Sequence, residues 1–275
     1  MPELPEVEIL VPALRNGGRD GPSLPGRTIE IVQLLWDRSL AVPRPDELQT
    51  CLSGKTILDI GRRGKYIIFY FETLAMLIHL KMSGDLVVES TSDAPGKHHR
   101  LLVDFRDKTR LSFVDPRKFG RIWVTSDPDA VIGKLGPEPL APDFDARTLY
   151  TSLLRYKRQL KPLLMDQSFL AGLGNIYTDE ALHLAHLHPC QISDQVTKTQ
   201  AQCLWQAIRQ VLSEGIRRNG ASIDWVYRGG NFQNHFRVYQ RTGEPCNVCG
   251  APIQRMIIGQ RSTHYCPNCQ IINGE

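Results

Sequence analysis

The sequence predicts an α+β multidomain protein with an N-terminal β-sandwich behind a leading helix, a helical domain and a C-terminal four-cysteine module. Three observations carry this. Short β runs punctuated by Gly, Asp and Pro fill the chain from about residue 28 to 125; helical spacing takes over beyond a proline-rich stretch; and two Cys-x-x-Cys pairs stand near the end.

The first element reads as a helix, with Pro5 suited to its first turn, Val7, Leu10, Val11 and Leu14 on one face, and Gly17 and Gly18 to stop it. Pro12 predicts a kink or an early end, because an interior proline removes a hydrogen bond at a cost of about 3 kcal/mol. The β runs are Lys65 to Phe71, Met76 to Leu80, Leu101 to Phe105, Arg110 to Phe113 and Arg121 to Val124, and Asp107-Lys108 reads as a hairpin turn. Their number favours a sandwich over a parallel sheet.

The stretch Gly136-Pro137-Glu138-Pro139-Leu140-Ala141-Pro142 predicts a linker, giving an N-terminal domain over 1–135, a linker over 136–145, a helical domain over 146–235 and a terminal module over 236–275. Leu149, Leu153 and Tyr156 mark one helix, and Pro162 can open the next. Thr197 precedes a longer helix with Leu204, Ile208, Val211 and Leu212 on one face, ended by Gly220.

A hydrophobic fraction of 41% with 23% charged residues excludes a disordered or collagen-like chain. No apolar run is long enough to span a membrane, and the acidic start MPELPEVEIL does not read as a secretory signal, so a cytoplasmic protein without membrane attachment is expected. Thirty-three Lys and Arg against twenty-nine Asp and Glu give +4, a mild excess whose distribution is more informative than its size. Basic residues gather at Arg62, Arg63 and Lys65, at Arg117, Lys118 and Arg121, and at Arg155, Lys157, Arg158 and Lys161. Between Cys246 and Cys269 stand Arg255 and Arg261 and no acids. Such clusters fit a phosphate backbone, although any one of them could equally be a solvated face.

Cys246, Cys249, Cys266 and Cys269 form two pairs separated by sixteen residues, the spacing at which two tight knuckles close a tetrahedron around one zinc ion. Disulfides or idle thiols are the alternatives. Four protein ligands leave no open coordination position, so one structural Zn2+ is expected, presenting the intervening loop with Arg261 to a partner. Cys51, Cys190 and Cys203 are expected to be buried small hydrophobes.

A chain beginning Met1-Pro2 usually loses its methionine, and the group then exposed is a secondary amine. Its pKa near ~7.7–8 leaves a useful fraction unprotonated at neutral pH. Condensed with a sugar C1′, such an amine gives an iminium, an electron sink that permits elimination, and Glu3 could act as the accompanying acid or base. Taken alone, the same residues also read as a start signal and a helix entry.

Pro2-Glu3-Leu4-Pro5-Glu6-Val7-Glu8, Asp115-Pro116-Arg117-Lys118-Phe119-Gly120, Gly172-Leu173-Gly174-Asn175-Ile176-Tyr177 and the terminal cysteines together resemble the bacterial formamidopyrimidine-DNA glycosylases, in the family's order and across nearly the whole chain. The resemblance implies a β-sandwich domain, a helix-two-turn-helix domain and a β-hairpin zinc finger that enclose double-stranded DNA containing damaged bases in a basic cleft. It implies Pro2 as nucleophile and Glu3 as acid/base. Lys65 would contact phosphate beside the lesion, and Arg261 would grip the backbone near it. His79, Asn175 and Tyr239 fall at further phosphate-contact positions, and Lys161 at one near the lesion pocket. Because a base inside a duplex must be extruded, Met82, Arg117 and Phe119 would fill the gap. By residue type alone, Met82 and Phe119 also fit a core and Arg117 a surface ion pair.

The implied activity is a bifunctional glycosylase and abasic-site lyase of base excision repair, acting as a monomer on oxidised purines. It would excise formamidopyrimidines and 8-oxoguanine through a Schiff base on Pro2 and cleave the strand by β and δ elimination. An endonuclease VIII-type enzyme for oxidised pyrimidines, and a non-catalytic DNA-binding zinc protein, are the alternatives; Leu4 with Pro-Glu-Val-Glu favours the formamidopyrimidine branch over the first, and Pro2 with Glu3 speaks against the second. The chain departs from the family pattern at Lys81 and Gln240, where glycine is usual, at Pro12, and between Ala221 and Tyr239, where the segment that closes over the flipped base is a few residues short.

Overall fold

The computed structural model describes residues 1–18, 21–222 and 229–272, and the chain divides into two compact units, Met1–Lys134 and Leu135–Ala221 joined by residues from Gly230 onward. Residues 223–228, the centre of the shortened segment, lie outside the described residues.

The first unit opens with α1 (Leu4–Asn16) and continues with β1 (Ile29–Leu34), β2 (Leu40–Val42), α2 (Leu48–Leu52), β3 (Asp59–Arg63), β4 (Tyr66–Tyr70) and β5 (Ala75–His79). β6 (Asp85–Ser90), β7 (His99–Phe105), β8 (Thr109–Val114), β9 (Arg121–Thr125) and α3 (Asp129–Ile132) complete it. The strands form a four-stranded sheet, β1-β7-β8-β6, and a five-stranded sheet, β2-β9-β5-β4-β3, antiparallel except for the β2–β9 pair. Their inner faces share one apolar core that includes Ile67, Phe69, Met76 and Ile78 from one sheet and Val103, Phe105, Leu111 and Phe113 from the other. The sandwich expectation holds.

The early end expected at Pro12 does not occur. α1 runs through Pro12 to Asn16 and stops at Gly17, whose φ of 82° is left-handed. Pro12 lies on the exposed side of the helix, while Val7, Leu10, Val11 and Leu14 are buried around it. Burying side chains of that size stabilises by about 1.5–3 kcal/mol each, which outweighs the ~3 kcal/mol that an interior proline costs. The Asp107-Lys108 turn is present as read: Lys108 takes φ 66°, and Asp107 Oδ1 accepts from Thr109 N at 3.1 Å and from Thr109 Oγ1 at 2.6 Å.

The second unit contains α4 (Ala146–Leu153), α5 (Leu160–Leu164), α6 (Asn175–Leu184), α7 (Lys198–Arg217) and the hairpin β10 (Gln254–Ile258) and β11 (Arg261–Tyr265). Thr197 caps α7, its side chain accepting from Gln200 N at 3.2 Å while Gln200 Oε1 accepts from Thr197 N at 2.9 Å. Two non-helical turns between α5 and α6 are held by Gln167, which donates to Leu173 O at 2.8 Å and accepts from Gly172 N at 2.9 Å. The three remaining cysteines differ from expectation: Cys51 and Cys190 are half-buried and Cys203 is exposed. Cys203 sits about 100° around α7 from the buried Leu204, off the apolar stripe. Among the described residues, no helix is long and apolar enough to cross a membrane.

Candidate nucleic-acid interface and metal centre

Glu3 is the N-cap of α1, in extended conformation, and its backbone N–H donates to Glu6 Oε2 at 2.8 Å. Pro2 precedes it directly. Both residues are buried, Glu3 to 1% exposure, at the end of the helix where the unpaired N–H groups favour an anion. Glu8, one turn on, pairs with Arg62, whose Nη1 donates to Gly64 O at 3.0 Å. This fastens α1 to the β3–β4 turn, where Gly64 adopts φ 55° and Lys65 follows, 4% exposed.

Sheet register brings the other predicted groups of this unit to the same end of the five-stranded sheet. Tyr66, at the start of β4, pairs with His79 at the end of β5, and His79 pairs with Arg121 at the start of β9. Lys65, the turn carrying Met82, and the loop carrying Arg117 and Phe119 therefore all leave the sheet at that end. His79 is buried, and its Nδ1 accepts from Lys81 N–H at 3.0 Å. Burial first, then the Lys81 and Lys65 charges, push its pKa down to about 3. His79 is thus a neutral imidazole whose remaining nitrogen, Nε2, carries the proton and can donate.

The gap-filling candidates are on the surface. Phe119 is 51% exposed, Arg117 is exposed with its guanidinium carbon 5.1 Å from the Phe119 ring centre, and Met82 is half-buried. The reading of Phe119 as core is thereby removed, and among the described residues Arg117 makes no ion pair. Asp115, 1% exposed, organises the loop: its Oδ1 accepts from Ser83 Oγ and from Arg117 N at 3.2 Å, and its Oδ2 accepts from Gly120 N at 2.7 Å. A Cβ on Gly120 would stand 2.2 Å from Phe113 Cζ, so only glycine fits there. Lys118 takes φ 61° and places its ammonium 3.9 Å from the Trp36 ring centre.

In the second unit, Asn175 opens α6, and its Nδ2 donates to Tyr239 Oη at 3.4 Å, so these two predicted residues are neighbours. Arg261 is exposed at the start of β11, immediately after a two-residue turn in which Gly259 and Gln260 have φ of 53° and 63°. That double left-handed turn suits the twist of a tight hairpin and projects the arginine from its tip.

Lys161 is placed differently from expectation. It is 1% exposed, and its ammonium donates to Asp179 Oδ1 at 2.6 Å and to Ser262 O at 2.9 Å. The other Asp179 oxygen accepts from His264 N at 2.9 Å, so the pair clamps β11 to α6 instead of presenting a cation to DNA. Other members of the basic clusters are also engaged internally: Arg62 with Glu8, and Arg158 with Asp166 at 2.9 Å.

Three buried acids were not singled out by their sequence context. Asp115 opens the segment Asp115-Pro116-Arg117-Lys118-Phe119-Gly120, where the basic and aromatic side chains carry the stronger signal. Asp179 and Glu180 are the only Asp, Glu, Lys or Arg between Asp166 and Asp194, a pair of adjacent acids in an otherwise uncharged stretch, and that was the available signal. Glu180 is fully buried and accepts three backbone N–H bonds, from Arg237 at 2.8 Å, Val238 at 3.0 Å and Tyr239 at 2.9 Å. It therefore fixes the segment that carries Tyr239.

The four predicted metal ligands converge. Their Sγ atoms all lie within 4.8 Å of one another, with Cys246 and Cys269 3.9 Å apart and Cys249 and Cys266 3.4 Å apart. A tetrahedron with Zn–S bonds of about 2.3 Å has edges of about 3.8 Å, close to the two separations given, so the set is suited to hold a zinc ion. Burial raises the Cys246 pKa, but N–H groups of Val248 and Cys249 and the neighbouring thiols bring it down to about 7. Lys81 and Gln240 hold left-handed backbone at φ 53° and 58°.

Family models match the chain in three blocks: the formamidopyrimidine-DNA glycosylase N-terminal domain over residues 1–122, the formamidopyrimidine-DNA glycosylase H2TH domain over 135–226, and the zinc finger found in FPG and IleRS over 243–271. The formamidopyrimidine-DNA glycosylase of Chloroflexus aurantiacus is 42% identical over 98% of this chain and 98% of its own length; that of Pelotomaculum thermopropionicum is 39% identical over 98% and 99%. Among solved structures, the Lactococcus lactis enzyme bound to DNA containing N7-benzyl-Fapy-dG superposes with a TM-score of 0.89 at 36% identity, covering 98% of this chain and 99% of that one. MutM in complex with DNA containing carbocyclic 8-oxo-G gives a TM-score of 0.89 at 35% identity over the same shares. Matched from end to end in sequence and in fold, this chain belongs to the formamidopyrimidine-DNA glycosylase family.

Proposed function

We propose that the protein is a bifunctional DNA glycosylase and abasic-site lyase that excises oxidised purines from double-stranded DNA as a monomer. The observation that carries this reading is the buried Pro2-Glu3 pair at the N-terminus of α1, in a chain that aligns end to end with relatives whose solved structures hold Fapy-dG and 8-oxo-G DNA.

Removal of Met1 frees the Pro2 nitrogen as a secondary amine. That nitrogen attacks C1′ of the damaged nucleotide and gives up its proton to the Glu3 carboxylate; the C1′–N bond to the base breaks, and the base departs with a proton from water. Glu3, held at the helix N-terminus, delivers a proton to the sugar ring oxygen as the ring opens, leaving an iminium between Pro2 and C1′. The iminium acidifies the C2′ hydrogen. Its loss expels the 3′ phosphate, a second elimination expels the 5′ phosphate, and water releases the sugar fragment from Pro2. The protein's remaining contribution is position. Lys65 supplies a cation and His79 a neutral N–H donor to phosphate, while Asn175, Tyr239 and Arg261 hold phosphates from the second unit. Met82, Arg117 and Phe119 occupy the space left by the extruded nucleotide, and Arg117 can hydrogen-bond the orphaned base. Lys161 acts indirectly, by fixing the strand that bears Arg261. When bound, zinc supplies rigidity to the hairpin through Cys246, Cys249, Cys266 and Cys269 and takes no part in the chemistry.

Excision from matched duplexes carrying 8-oxoguanine, a formamidopyrimidine or thymine glycol tests the assignment. Faster release of the oxidised purines supports it. Preference for thymine glycol would move the protein to the oxidised-pyrimidine class, and binding without excision of any of the three would leave a non-catalytic clamp.

A further inference from the structure

His183 is the last-turn histidine of α6, 1% exposed, and its Nε2 lies 3.4 Å from Cys246 Sγ. Its other ring nitrogen, Nδ1, is buried and has no hydrogen-bond partner among the described residues. The thiol is therefore the polar group to which the ring is directed. An imidazole buried at this depth loses its hydration and normally recovers it through hydrogen bonds at the ring, so a single bond to a sulfur calls for a reason. The group of four thiols that can share one ion does not include His183, so the imidazole lies outside the coordination sphere, against one of its ligands.

We propose that His183 is an outer-shell positioning residue for the metal site, donating Nε2–H to the Cys246 thiolate; this rests on the zinc reading given above. Such a bond draws charge off the sulfur, makes it a poorer target for protons, and fixes its direction. Val248 N–H, 3.5 Å from the same sulfur, is the second donor. Partners of this kind change metal affinity by about 10- to 100-fold.

The placement also joins the metal to the rest of the unit. α6 begins at Asn175, carries Asp179 and Glu180 at its middle, and ends against the zinc ligand through His183. One rigid element thus bears on the metal, on the strand of Arg261 and on the segment of Tyr239. Loss of the ion would remove an anchor at one end of the helix whose other end faces phosphate.

The test uses the full-length protein with zinc bound, and compares wild type with His183→Phe, which keeps ring volume and removes the donor, and with His183→Gln, which keeps an N–H. Zinc release into excess chelator is timed, and the cobalt-substituted forms are compared by their thiolate-to-metal absorption bands. The expected result is release about 10- to 100-fold faster from His183→Phe, with shifted cobalt bands and an unchanged far-UV circular dichroism spectrum, and recovery of most of the loss in His183→Gln. Equal release from wild type and His183→Phe would overturn the proposal. So would equally fast release from both variants, because that marks a packing defect and not a missing donor. A wild-type protein that takes up no zinc would instead overturn the metal reading beneath it.

Discussion

Ser83 Oγ donates a hydrogen bond to the buried carboxylate of Asp115 and accepts one from Arg117 N at 3.1 Å, and these contacts tie the turn that carries Met82 to the loop that carries Arg117 and Phe119. Two segments thirty-two residues apart are made into one device. Asp115 also receives the backbone N–H groups of Arg117 and Gly120. Replacing it by alanine leaves the buried Gly120 N–H without its acceptor, at about 1–3 kcal/mol where water cannot reach it, while Arg117 N–H keeps Ser83 Oγ at 3.1 Å. Asp115→Ala should therefore lower the melting temperature by several degrees and slow excision, whereas Ser83→Ala should cost about 1 kcal/mol. Thermal melts of both variants, with excision rates on one duplex, check this.

Arg117 and Phe119 should behave in the opposite way. Both are exposed, so truncating either to alanine should leave stability within about 0.5 kcal/mol of wild type. Excision from duplex DNA should nevertheless fall severely, because nothing then fills the vacated stack. A variant that melts normally and excises normally would remove these side chains from the account.

His79 gives the fold an acid-sensitive element whose sign follows from its environment. Its pKa in the folded protein, about 3, lies below the ordinary 6.5, so the unfolded chain binds the proton more readily. Stability from this group is complete above pH 6.5 and is lost as pH falls toward 3, by about 1.4 kcal/mol per pH unit inside that window. Urea titrations at pH 7 and pH 4.5 should show a larger loss for wild type than for His79→Gln. An equal loss in the two would contradict a buried neutral histidine.

Lys81 and Gln240 hold left-handed conformations that cost an L residue roughly 1–2 kcal/mol. Gln240→Gly should relieve part of that strain, by about 0.5–1 kcal/mol after glycine's greater chain entropy is counted, while the β-branched Gln240→Val should add to it. Opposite shifts in melting temperature are the expected signature.

These positions also show where the fold and site were legible in sequence. Strands β4, β5, β7 and β8 were found because their centres are buried on both faces, and β9 because Ile122, Trp123 and Val124 make a short apolar run. β3, with Asp59, Arg62 and Arg63 among its five residues, and the three-residue β2 carry no such run, and they were missed. β1 and β6 were missed too: in β1 Glu30 and Gln33 break up the apolar residues, and in β6 the run is only Leu86 to Val88 between polar ends. α6 was not recognised from periodicity because every residue from Ile176 to His183 is buried, acids included, so it has no polar face against which an apolar stripe would stand out. The metal ligands were legible because chelation by Cys-x-x-Cys is local in sequence, and the structure brings all four together. Lys161 was not: a lysine in a basic cluster reads as a free cation until its partner, Asp179, eighteen residues away, is brought against it by the fold.

In the proposed mechanism Pro2 forms a covalent intermediate with the damaged sugar. The most direct measurement is borohydride trapping: the untagged protein, Met1 removed, is incubated with an 8-oxoguanine:cytosine duplex and, in parallel, with a matched abasic duplex, and the adduct is located by peptide mass spectrometry. The account predicts a DNA adduct on the N-terminal peptide at Pro2 with both duplexes, and none from protein that retains Met1. An adduct on a lysine, full strand cleavage by the Met1-retaining protein, or no adduct with either duplex despite normal DNA binding would contradict it.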